Sequence, residues 1–122
     1  MERLEATMNL RPGMRVLDLG GQPQIWNFVK TPLDIVILNL PGVAAPPPIE
    51  SAHQFEYVEG DGCSVENYGD KAFALVFSNS VIEHVGDKAR QRAFASEIRR
   101  LSNKYWVQTP SIWFPIEAHT GM

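Results

Sequence analysis

Two apolar runs constrain this chain more than anything else in it. Met14-Arg-Val-Leu-Asp-Leu-Gly-Gly21 and Phe73-Ala-Leu-Val-Phe-Ser-Asn-Ser-Val-Ile-Glu-His-Val85 each read as a buried strand that breaks into glycine or polar residues at its carboxyl end. Phe73 to Phe77 is almost wholly apolar, as a central strand covered on both faces must be. Open α/β sheets receive ligands at the carboxyl ends of their strands, so these two ends together make a candidate site.

The rest of the chain supplies the other layers. Leu10-Arg-Pro-Gly13 is a turn, and Met14 to Leu19 is the first strand, closed by Gly20-Gly21. Ile25, Phe28 and Val29 fall at helical spacing and predict a short helix ended by Pro32. Asp34 to Asn39 is dense in β-branched residues and reads as a second strand, which implies a right-handed parallel crossover. Pro41 to Gln54 contains Pro46-Pro47-Pro48 and cannot hold a normal crossover helix. A loop, with one helical turn at Ile49 to Ala52, leads instead to a strand at Phe55 to Glu59 and the turn Gly60-Asp-Gly62. Asp87 is the expected N-cap of a helix from Lys88 to Leu101, with Phe94, Ile98 and Leu101 in one apolar stripe. Arg99 and Arg100 suit its carboxyl-terminal dipole, and Asn103 is the expected left-handed cap. Lys104 to Thr109 is a fifth strand, and residues 111–122 read as a loop-like tail carrying Trp113, Phe114 and Ile116.

The 122 residues suffice for one domain with one core, spanning 1–122. A net charge of -3 provides no basic field for a phosphate backbone, so no nucleic-acid partner is expected. Cys63 is the single cysteine and cannot form an internal disulfide. The charged start lacks the apolar run of a signal peptide, and no stretch approaches a membrane span; a cytoplasmic location is the expectation by elimination.

Alternating strands and helices predict a Rossmann-like, doubly wound parallel sheet. A nicotinamide fingerprint requires glycines at the first, third and sixth places of the turn, but after Gly20 those places hold Gln22 and Ile25. Dinucleotide binding is disfavoured. Four ordered blocks instead resemble class I S-adenosylmethionine-dependent methyltransferases, most closely the small type-11 branch. They are Val16-Leu-Asp-Leu-Gly-Gly21, Val58-Glu-Gly-Asp-Gly62, Val76-Phe-Ser-Asn-Ser-Val-Ile-Glu-His-Val85, and Tyr105-Trp-Val-Gln-Thr-Pro110 with Phe114-Pro-Ile-Glu117.

The resemblance implies S-adenosyl-L-methionine as cofactor. Asp18 would hold its ammonium, directly or through water, with Gly20 and Gly21 allowing close backbone approach and the following helix start favouring its carboxylate. Asn39 takes the place of the family's ribose-binding acid. Asp61 would accept from the adenine amino group, with Gly62 and Cys63 offering backbone donors, and Ser78 and Asn79 would line the sulfonium and the incoming nucleophile. Two departures stand out: Gln22 and Gln24 occupy the family's second and third glycine places, and Asn39 forfeits a charge-assisted bond. The resemblance further implies five strands in order 3-2-1-4-5 without the family's usual last two, as in a carboxyl-terminal truncation, leaving the fifth strand and the aromatic tail open to self-association.

Each candidate residue has a plainer alternative. Asp18 and Asp61 are also ordinary turn aspartates, and Cys63 is a small half-buried residue rather than a nucleophile. His84 is either a general base or a helix-start histidine bonded to backbone. Some family members hold a divalent metal through a Glu-x-x-Glu-His pattern. Here Ser80 replaces the first glutamate, leaving Glu83 and His84, with Glu117 and His119 further on; no metal is expected. The expectation is therefore methyl transfer to an oxygen or nitrogen of a small acceptor. The alternative is a truncated or degenerate module of the same fold that acts by partner or weak cofactor binding without turnover.

Overall fold

The computed structural model describes residues 8–42, 51–79, 87–108 and 113–117. Among the described residues six strands form one sheet: β1 Arg15–Leu19, β2 Asp34–Asn39, β3 Gln54–Glu59, β4 Leu75–Asn79, β5 Lys104–Gln108 and β6 Trp113–Glu117. Their order is β3-β2-β1-β4-β5-β6. The first five are parallel in the expected order 3-2-1-4-5, and β6 runs antiparallel to β5.

Strand alternation divides the core into two layers. Val16, Ile35, Ile37, Leu75, Phe77 and Trp106 face one side, where Met8, Trp26, Val29 and Leu33 cover them. Leu17, Leu19, Val36, Leu38, Val76 and Tyr105 face the other, under the helix α1, Lys88–Leu101, and the chain from Val65 to Phe73. Phe94, Ile98 and Leu101 are the buried stripe of α1, and the Asp87 carboxylate accepts from the Arg90 amide (3.0 Å), so the predicted helix and its N-cap are both present.

Four local expectations change. The segment after β1 is a 3₁₀ helix, Pro23–Phe28, not an α-helix. At three residues per turn its inward face is Pro23, Trp26 and Val29, while Phe28, expected inside, is 66% exposed. Second, α1 does not end on a left-handed Asn103. Ser102 is already extended, its amide donates to the Ile98 carbonyl, and its Oγ accepts from the Lys104 amide, turning the chain straight into β5. Third, the tail read as a loop contributes β6. Fourth, β6 covers the β5 edge that was expected to stand open.

The link from β3 to β4 contains no α-helix or 3₁₀ helix and is tied to α1 by several side chains, Arg100 foremost. Arg100 donates to the carbonyls of Val65 (2.7 Å) and Tyr68 (3.0 Å) and to the carboxylates of Asp70 (3.1 Å) and Glu97 (2.6 Å). Glu97 in turn accepts from the Val65 amide (2.7 Å), and its carboxyl is held below the usual range chiefly by the Arg100 hydrogen bond. No helix among the described residues is long and apolar enough to cross a membrane.

Candidate functional site

Asp18 is the last residue but one of β1, with zero exposure, and its side chain falls on the Trp26 side of the sheet. The Trp26 indole donates to Oδ2 (2.7 Å), and Oδ1 has no partner among the described residues. Burial pushes the carboxyl from 3.8 up to about 7, against the opposing pull of the indole. Directly over it passes Gly21, where a Cβ would overlap the Asp18 carboxyl, so this glycine is required by the aspartate beneath it. Gly20 adopts φ +74, and its amide donates to the Leu38 carbonyl (2.8 Å), bending the chain away from the end of β1.

A cavity of about 470 Å³ opens here, lined by Asp18, Gly20, Gly21, Gln22, Gln24, Ile25, Phe28 and Phe77. Of the predicted site, it gathers Asp18 and both glycines. The two glutamines that replace family glycines form part of its wall. The helix start expected to favour a carboxylate is the six-residue 3₁₀ segment, whose first position is proline and contributes no amide proton.

The other predicted residues stand apart from this cavity. Asn39, at the end of β2, is half-buried, and its amide donates to the Gly21 carbonyl at 3.4 Å, linking it to the turn. Asp61 lies beyond β3, where its Oδ1 accepts from the Cys63 amide (2.8 Å) and both oxygens accept from Arg90 of α1 (3.1 and 3.0 Å). The Cys63 hydrogen bond, followed by the Arg90 contact, lowers the Asp61 carboxyl. The Cys63 amide is thus engaged within its own turn, and its Sγ donates to the Arg90 carbonyl (3.2 Å). Gly62 lies against the Phe94 ring, which a Cβ would meet at 2.7 Å. Ser78 follows Phe77 on β4 and so belongs to the opposite, α1-covered face; it is fully buried and does not line the cavity. Asn79 ends β4 beside Gln108. His84, Glu83 and His119 lie outside the described residues, and Glu117 is placed by its backbone in β6. Among the described residues no three acids, histidines or cysteines cluster as metal ligands.

Phe77 and Trp26 were missed as contributors, and Ile25 and Phe28, which also line the cavity, were read only as a helical apolar set. Phe77 was read only as core, although alternation from Asp18 across the β1–β4 pair places both on one face. Trp26 was passed over because its neighbours satisfied a helical spacing. Its signal was chemical, since a buried indole N–H needs an acceptor and Asp18 lies eight residues before it.

An open parallel sheet in this order, with a carboxylate under a glycine turn at the end of its first strand, is the Rossmann-like architecture of S-adenosylmethionine-dependent methyltransferases. A family model described as "Methyltransferase domain" matches residues 42–104, more than half of the chain, and the chain belongs to that family. No curated protein matches the sequence significantly. Among solved structures, a candidate methyltransferase from Bacillus halodurans is 20% identical with a TM-score of 0.64, covering 87% of this chain and 48% of its own. A candidate S-adenosyl-L-methionine-dependent methyltransferase from Methanococcus maripaludis is 16% identical, with a TM-score of 0.63 and coverages of 87% and 52%. An arsenic(III) S-adenosylmethionine methyltransferase from Chlamydomonas reinhardtii is 19% identical, with a TM-score of 0.56 and coverages of 79% and 38%. The likeness is one of fold, and the chain spans about half or less of each of these proteins.

Proposed function

We propose that this chain provides the cofactor-binding part of an S-adenosylmethionine-dependent methyltransferase that acts on an oxygen or nitrogen of a small acceptor. The observation that carries this is the buried Asp18 carboxyl, one oxygen satisfied by Trp26 and the other without a described partner, at the wall of the strand-end cavity. Burying a carboxylate is costly unless something charged or hydrogen-bonding meets it, and the ammonium of the cofactor has that chemistry. The residues present therefore fit the group.

Asp18 would hold the ammonium, Asn39 the ribose diol, and Asp61 the adenine amino group. A carboxylate has about four acceptor sites, and the Cys63 amide and Arg90 leave capacity on Asp61 Oδ2. The bound cofactor supplies an electrophilic methyl group. The chain's contribution is to hold and orient, with Ile25, Phe28 and Phe77 giving the cavity an apolar wall. His84 is proposed as the base that takes a proton from the acceptor.

Titration calorimetry of the full chain with S-adenosylmethionine and S-adenosylhomocysteine tests this directly. Micromolar binding that weakens at least roughly tenfold in Asp18→Ala is expected, the loss of a charge-assisted hydrogen bond. A folded chain that binds neither compound would overturn the proposal.

A further inference from the structure

His53 belongs to no part of the site described so far, yet it is 95% buried by its 5% exposure and fully engaged. It immediately precedes β3, where Ser51 Oγ accepts from its amide (3.1 Å) and Phe55 meets its ring edge-on at 6.0 Å between centroids. The Leu33 amide donates to Nδ1 (3.1 Å), so that nitrogen carries the lone pair. The proton must then be on Nε2, which donates to the carbonyls of Trp26 (2.8 Å) and Val29 (3.0 Å). Because every hydrogen-bond partner of the ring is a backbone atom with a fixed role, the backbone alone selects this tautomer.

Those carbonyls sit at the end of the 3₁₀ segment. Trp26 packs against Phe77 at 5.0 Å between ring centroids, its carbonyl accepts from His53 Nε2 as well as from the Val29 amide (3.0 Å), and its indole donates to Asp18. A six-residue 3₁₀ helix has poor hydrogen-bond geometry of its own, so its orientation depends on such external ties.

We propose that His53 is a positioning residue of the cofactor site: it pins the Trp26 backbone, and the Trp26 indole fixes the Asp18 carboxylate that receives the ammonium. The inference rests on the cofactor reading above for the ligand, but the chain of contacts from His53 to Asp18 is independent of it. His53 touches no reacting atom and acts only through Trp26, much as outer-shell partners orient metal ligands.

The test follows the Trp26 indole N–H by NMR in the 15N-labelled full chain, its resonance assigned with Trp26→Phe, alongside the affinity for S-adenosylhomocysteine. His53→Leu fills the same space without hydrogen bonds. It is expected to shift the indole resonance, to speed its solvent exchange at least tenfold and to weaken binding roughly tenfold. His53→Gln, whose amide both donates and accepts, is expected to restore resonance and affinity together. A folded His53→Leu chain with an unmoved indole resonance, or with a moved resonance and unchanged affinity, would overturn the proposal. If the leucine variant does not fold, His53→Asn, too short to bridge Leu33 and Trp26 together, takes its place with the same expectations. Should the unaltered chain bind no S-adenosylhomocysteine, the cofactor reading falls, and the indole signal alone still decides whether His53 governs the Trp26–Asp18 contact.

Discussion

Asp18 and Asp61 stand at the carboxyl ends of strands in one sheet, and their surroundings drive them in opposite directions. Asp18 is sealed from water with one neutral donor, and its carboxyl rises to about 7. Asp61 lies at the surface in a turn, held by an amide and a guanidinium, and its carboxyl falls below 3.8. The lesson is that the same residue type at equivalent places performs different work: the buried one stores unmet electrostatic demand that a cation can satisfy, and the exposed one has its charge met by Arg90 and keeps only spare acceptor capacity for a neutral donor.

The largest effect should come from breaking the buried side of this contrast. Trp26→Ala removes a fully buried ring together with the described donor to Asp18, and chemical denaturation should show a loss of about 3–5 kcal/mol. Next is Asp18→Asn, which keeps an acceptor for the indole and removes the ionisation. Since the folded chain holds its Asp18 proton up to about pH 7 and the unfolded chain releases it near 3.8, wild-type stability should fall as pH rises between those values. Relative to wild type, the asparagine variant should gain up to about 4 kcal/mol between pH 4 and pH 9, read from urea midpoints. An unchanged pH profile would mean that Asp18 is not the sealed carboxyl described. Gly21→Ala should cost about 1–3 kcal/mol, because the added methyl overlaps the Asp18 carboxyl and something must move; it should also abolish cofactor binding in the calorimeter. The smallest effect belongs to the exposed side. Arg90→Gln breaks a pair whose members are 47% and 38% exposed, and the melting temperature at neutral pH should change by no more than about 2 °C. A large drop there would erase the contrast between the two aspartates.

What the sequence disclosed follows from how local each signal was. The five parallel strands and α1 were legible because alternation, β-branching and the Asp87 cap act within a few residues of one another. The 3₁₀ segment was not, because Ile25, Phe28 and Val29 imitate a 3.6-residue period while the buried set, Pro23, Trp26 and Val29, follows a period of three. Strand β6 was hidden by Pro115, which a strand tolerates only at an edge, and the edge exists only once β5 is in place. Within the site, Asp18 announced itself by following an apolar run into two glycines. His53 did not, since its ring's hydrogen-bond partners are all backbone atoms, two from the 3₁₀ segment and its cap and one from the residue before β2. Ser78 was misplaced for a simpler reason: the end of a strand was identified correctly, but not which face each residue there would take.

The tie made by Arg100 also bears on which substitutions the chain can absorb. At Val65 and Tyr68 its partners are main-chain carbonyls, which any residue supplies, so the identities of those side chains can drift without loosening this tie. The burden of sequence specificity falls on the arginine. A lysine there has one nitrogen in place of a planar fork and cannot reach two carbonyls and two carboxylates at once, so a change usually counted as conservative would loosen the middle of this link, leaving it to the Glu97, Lys71 and Arg90 contacts.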